Sequence, residues 1–179
     1  MKKTKTLFIG ATLMSIFAFT LIQRVNWKVK EGYSVKFNGG TFKGLKALIQ
    51  FNENNPENSK ITASIDARTI DTGNRLMDEH AKDSQALDAG NFPMITFVST
   101  SVKKNATGYE ATGNLTLKGV TKEVKLPFTF DSKKALAQFP FHPKETFRGV
   151  LAITPNDYNI KRAGVPDQVS VELIIPVTR

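Results

Sequence analysis

His80 is the residue whose type best suits it to chemistry. Asp78 stands two positions before it and Asp83 three after, a spacing that could serve a general base beside a carboxylate or part of a metal site. No third ligand follows at metal spacing, and the other of the two histidines, His142, lies far along the chain in a loop-like segment. No metal set is therefore expected. The pattern fits better a histidine at a helix end that bonds a neighbouring loop or touches the head group of a ligand. Ser34, Ser64 and Ser99 have no Gly-x-Ser-x-Gly context, so the nucleophile-elbow signature is missing. Gly39-Gly40 and Gly119 separate alternating runs and read as turns, and no glycine loop for phosphate is present.

What the composition offers instead is apolar surface. The chain has 13 phenylalanines and one tryptophan, any one of which is core by default. It has no cysteine, so neither disulfides nor thiolate chemistry can contribute and packing alone must hold the fold. The formal charge is +9. Lys2, Lys3 and Lys5 supply three of those charges, and the other lysines alternate with apolar residues along presumed strands, as on a solvated outer face. Peripheral attraction to anionic lipid head groups is a secondary expectation. No nucleic-acid motif accompanies the basic character, and no nucleic-acid partner is expected.

The elements that must position these residues begin after a leader. The three lysines precede an uncharged run from Leu7 to Ile22, which reads as a secretory signal over residues 1–22. Ala18-Phe19-Thr20 is a weak small-x-small cleavage site. An exported protein, periplasmic or secreted, is the expectation, with an uncleaved inner-membrane tether as the lesser alternative. Residues 23–179 suit one domain.

Within that domain a period of two dominates. Ile61, Ala63, Ile65 and Ala67 alternate with polar residues, and Asp71-Thr72-Gly73-Asn74 then leads into a short capped helix over Arg75 to Lys82. Ile95, Phe97 and Ser99 share one face of the next strand. Further runs follow at Val25 to Phe37, with a bend or turn at Gly32, and at Phe42 to Phe51. Tyr109 to Leu117 and Val124 to Phe130 form a hairpin about Gly119, and strands near Phe147 to Ile153 and Val169 to Val177 close the chain. Eight or nine antiparallel strands, each apolar on one face, need a partner sheet or closure on themselves, and their length favours closure. The fold class is all-β: a single antiparallel β-barrel of about eight strands with one short helix between strands. Small inward residues (Ala47, Ala63, Ala67, Ala111, Gly113) would leave an apolar hollow inside it.

The residues Thr72-Gly73, Asp78-x-His80, Asp88, Phe92-Pro93-x-Ile95-Thr96-Phe97-x-Ser99 and Gly113-x-Leu115-Thr116-Leu117-Lys118-Gly119-Val120-Thr121-Lys122-x-Val124 resemble the YceI-like family of exported polyisoprenoid-binding proteins. The resemblance runs from Trp27 to the C-terminus. It implies a lipocalin-like barrel, a long apolar tunnel holding an isoprenoid chain such as a quinone tail, a carrier or sequestering role, and no enzymatic activity. The chain departs from the family pattern at Met77, where an arginine is usual, at Ala86-Leu87 in place of an aromatic pair, and at Pro155-Asn156-Asp157-Tyr158-Asn159 in place of Arg-x-Asp-aromatic-Gly.

The expected function is non-catalytic binding, transport or sequestration of a long apolar lipid, a polyisoprenoid or isoprenoid quinone, with no other cofactor. The expected lining is Phe37, Phe42, Ala47, Ile49, Phe51, Ile61, Ala63, Ile65, Ile95, Phe97, Leu115, Val124, Phe128 and Phe147, with Met77, His80 and Leu87 on or beside the helical lid. Two alternatives stand beside this. One is an enzyme on an apolar substrate using His80 and Asp78; the other is a structural domain with a filled core. Sequence leaves the oligomeric state open, a homodimer included.

Overall fold

The computed structural model describes residues 25–132 and 145–179. The expected leader, the Phe139-Pro140-Phe141-His142-Pro143 loop and His142 lie outside the described residues. The strand segments are β1 (Asn26–Val29), β2 (Ser34–Phe37), β3 (Gly40–Phe42), β4 (Lys46–Gln50), β5 (Lys60–Asp66) and β6 (Ile70–Asp71). After the helix α1 (Arg75–Lys82) come β7 (Met94–Asn105), β8 (Gly108–Leu117), β9 (Val120–Asp131), β10 (Thr146–Ile153) and β11 (Val169–Thr178).

The short segments are halves of longer strands. β1 and β2 both lie antiparallel along β11, through Lys28 opposite Thr178 and Val35 opposite Leu173, so they form one strand interrupted around Gly32. β3 and β4 pair with β2 and β1 in the same way. β6 and β5 pair with β3 and β4. Counted as continuous strands, every strand neighbours its sequence neighbour and β11 returns to the first. Among the described residues the result is a closed eight-stranded antiparallel barrel with one α-helix, whose closure leaves no long unpaired edge.

Local chemistry explains the joints. Leu117 faces Val120 across a two-residue turn in which Lys118 (φ 49°) and Gly119 (φ 73°) are both left-handed, the geometry that matches strand twist. In β7 a bulge between Ser99 and Ser101 shifts the register. Phe97 and Ser99 are buried before the bulge and Val102 after it, so one inserted residue keeps the apolar face inward along a twelve-residue strand. The Asn74 side chain accepts from the Leu76 and Met77 amides at 2.9 and 3.3 Å, capping α1 where the sequence placed it. No residue of α1 is buried, because the helix lies over one end of the barrel rather than inside it. No helix among the described residues is long and apolar enough to cross a membrane.

The other end is solid. Trp27 Nε1 donates to the Phe51 carbonyl at 2.9 Å. The Phe51 ring, 1% exposed, meets Tyr109, Phe128, Phe130 and Phe147 with centroids 4.9 to 5.6 Å apart, all edge-on. Phe130 stacks on Phe147 at 4.5 Å and Trp27 meets Phe130 at 5.0 Å. Edge-to-face and offset pairs of this kind add about 0.5–1.5 kcal/mol each beyond their buried area. Dense aromatic packing thus fills this end of the interior.

Candidate functional site

Between that aromatic end and α1 the barrel encloses an apolar cavity of about 670 Å³, inside the usual range of small-molecule sites (roughly 300–1,000 Å³). Its walls are the inward faces of the strands. Ala47 and Ala63 are direct cross-strand partners, and Ala63 in turn faces Phe97. The small pair is what leaves room where larger residues would meet. Phe128 and Phe147 form the floor with Phe97, and the next layer down is Phe51, Phe130 and Trp27, none of which reaches the cavity.

Fifteen of the expected lining residues do reach it: Phe37, Phe42, Ala47, Ile49, Ile61, Ala63, Ile65, Met77, His80, Leu87, Ile95, Phe97, Leu115, Phe128 and Phe147. Two do not. Phe51 sits in the layer beneath the floor, held by its four ring contacts. Val124 faces Gly113, and the Phe97 ring lies over that glycine so closely that a Cβ there would be 2.7 Å from Phe97 Cζ. The ring covers Gly113, and Val124 is half-buried against the core without lining the cavity. The same ring explains why Gly113 adds no volume, and Ala111 and Ala67 are likewise fully packed. Among the described residues the cavity ends on the Phe128 and Phe147 rings, with Phe51 packed behind both.

Several lining residues escaped the sequence reading. Leu151, Ile153, Val171, Leu173 and Ile175 share the inward face of β10 and β11, and their alternation was a usable signal. Ile160, Arg162 and Val165 come from the β10–β11 loop, where no periodicity marks them.

The mouth lies between α1, the turn after it and that loop. Lys118 Nζ donates to the Ser84 carbonyl at 2.7 Å and to the Asn159 carbonyl at 2.9 Å, tying the two segments together. Arg162 pairs with Asp83 across the same gap, and the Lys161 amide donates to the Gln85 carbonyl at 3.3 Å. Partial burial pulls the Asp83 carboxyl up, but the Gln85 and Ala86 amides and the Arg162 guanidinium hold it below the ordinary carboxylate range.

The candidate catalytic pair is not assembled. Asp78 accepts from the Thr72 hydroxyl and the Thr72 amide, both at 2.7 Å, and these bonds lower its carboxyl. Among the described residues no hydrogen bond joins it to His80, whose side chain lines the cavity. Nor does any group of three or more His, Cys, Asp or Glu residues among them have the arrangement to hold a metal ion.

Comparison with known proteins places these features. The family model described as a YceI-like domain matches residues 22–176. The curated "Protein YceI" of Salmonella arizonae is 36% identical over 156 residues, which cover 86% of this chain and 78% of that protein, and the Salmonella paratyphi B protein gives the same figures. Among solved structures, Burkholderia cenocepacia BcnA superposes with a TM-score of 0.67 at 24% identity, covering 82% of this chain and 95% of its own. A polyisoprenoid-binding domain from Saccharophagus degradans, implicated in plant cell wall breakdown, superposes with a TM-score of 0.56 at 13% identity, over 85% and 96% of the two chains.

Proposed function

Because the chain belongs to the YceI-like family, we propose that it binds a long apolar lipid, a polyisoprenoid or isoprenoid quinone, and carries or sequesters it without catalysing its conversion. The observation that carries this reading is the cavity of about 670 Å³ with aliphatic and aromatic walls. An unfilled apolar space of this size forfeits packing contacts that a hydrocarbon chain restores, at about 0.8 kcal/mol per buried methylene. A polyisoprenoid-binding neighbour with the same barrel supports the ligand class.

The polar groups support an orientation. His80 and Arg162 lie at the mouth, and the far end of the cavity is aromatic, so the tail goes inward and the head stays near α1. Binding rather than turnover is favoured by the bonds from Thr72, which occupy Asp78 away from His80. Leu76 and Met77, 63% and 56% exposed on the lid, offer an apolar contact to a membrane surface from which such a ligand is drawn. The basic head and apolar body of residues 1–22 support an exported site of action, periplasmic or secreted.

Organic extraction of the purified protein followed by mass spectrometry tests the proposal. A stoichiometric prenyl lipid is the expected result. Absence of any lipid, together with failure of added prenols to bind, would refute it.

A further inference from the structure

We infer that the aromatic floor of the cavity sets the length of the ligand chain, with Phe147 and Phe128 as the stop. This deepens the lipid-binding reading and rests on it. The cavity has its mouth at α1 and ends on two rings whose centroids are 5.9 Å apart. Those rings cannot swing aside freely, because each is backed by another. Phe51 meets Phe128 at 5.6 Å and Phe147 at 5.3 Å, and Phe130 stacks on Phe147 at 4.5 Å. Trp27, its indole bonded to the Phe51 carbonyl, braces Phe130 from the far side. A tail that reaches this layer meets a close-packed wall rather than a soft chain end.

The geometry gives a length. Phe147 and Ile153 both line the cavity from β10, and six residues of strand at about 3.3 Å each, tilted by roughly 40°, span about 15 Å from floor to strand end. Four carbon–carbon bonds of about 1.5 Å advance an extended prenyl chain by roughly 5 Å per isoprene unit. About three units therefore fit inside the strands and about one more lies in the mouth, between α1 and the loop carrying Arg162. Units beyond that project into solvent and gain little.

Linear all-trans prenols of two to eight isoprene units, displacing a fluorescent apolar dye from the delipidated full chain, test this. In the unaltered protein each unit up to about the fourth should tighten binding at least about tenfold, and each later unit less than about twofold. Phe147→Ala should move that break to a chain one unit longer, because the floor drops toward Phe51. Phe147→Leu retains a branched apolar residue and guards against loss of fold; it should tighten binding of the first chain beyond the break by about threefold or more. Circular dichroism verifies folding of both. The inference is overturned if folded Phe147→Ala keeps the break of the unaltered protein, if Phe147→Leu leaves affinity for the first chain beyond the break unchanged, or if affinity rises through all eight units without a break. Failure of every prenol to bind the unaltered protein would overturn the lipid-binding reading and this inference with it.

Discussion

Filling the hollow should separate its role in binding from its role in folding, and Ala63→Phe does so at one position. Ala63 is flanked by Ala47 on one side and Phe97 on the other, and all three line the cavity, so a ring at position 63 projects into empty space. It adds six carbons. Because no protein atoms need to be displaced, burial should stabilise the ligand-free protein by about 1.5–3 kcal/mol. The same six carbons exclude about as many from the ligand at about 0.8 kcal/mol each, so lipid affinity should fall by about 5 kcal/mol, or several thousandfold. Urea unfolding of the delipidated protein measures the first effect as a higher midpoint at unchanged slope. Displacement of a fluorescent apolar dye by a four-unit prenol measures the second. Unchanged prenol affinity would show that the ligand does not occupy this cavity, and a ligand-free protein less stable by several kcal/mol would show that the space is already filled.

Other perturbations address the supports of the site. Gly113→Ala should destabilise by about 1–3 kcal/mol, since a Cβ there would lie 2.5 Å from the Val98 carbonyl oxygen as well as against the Phe97 ring. Adding Phe97→Leu should not restore the midpoint of thermal unfolding, because the carbonyl stays in place; full rescue would assign the constraint to the ring alone. Asp66 accepts from the Arg68 side chain and from its amide, which lowers its carboxyl from 3.8 to about 2. A carboxyl lowered on folding contributes stability that is present above 3.8 and lost as pH falls toward 2. The stability difference between the unaltered protein and Asp66→Asn should therefore shrink over that window in urea midpoints, and a difference independent of pH would refute the assignment. Lys118→Met removes the two bonds that tie Ser84 to Asn159 and should speed prenol release about three- to tenfold in stopped-flow displacement, with the unfolding midpoint nearly unchanged. An unaltered release rate would mean that the mouth is not held at this point.

Strand periodicity and turn chemistry made most of the barrel legible. Asn74 and the i, i+4 spacing after it mark α1, and Lys118-Gly119 marks the tightest hairpin, because these signals are local and each is satisfied within a few residues. The bent strands were less clear. Val29 and Val35 belong to one strand only because both pair along β11, more than 130 residues away, and local sequence cannot show that.

The cavity depends on a still longer-range fact, namely which small residue ends up beside which large one. Ala63 and Ala111 both alternate cleanly and both face inward. One lines the hollow because its neighbour across the sheet is Ala47. The other is fully buried in the aromatic end, within the same cluster as Phe51 and Phe128. A period of two fixes the face a side chain takes but not its height along the barrel axis. That height depends on the stagger of strands whose register is set by the bulge at Ser99–Ser101 and by the interruptions of the first three strands. Phe51 and Phe147 show the consequence most directly. Both are inward phenylalanines near strand ends and their rings touch, yet only Phe147 faces the cavity, so the boundary between packed core and binding site passes between two residues of the same type.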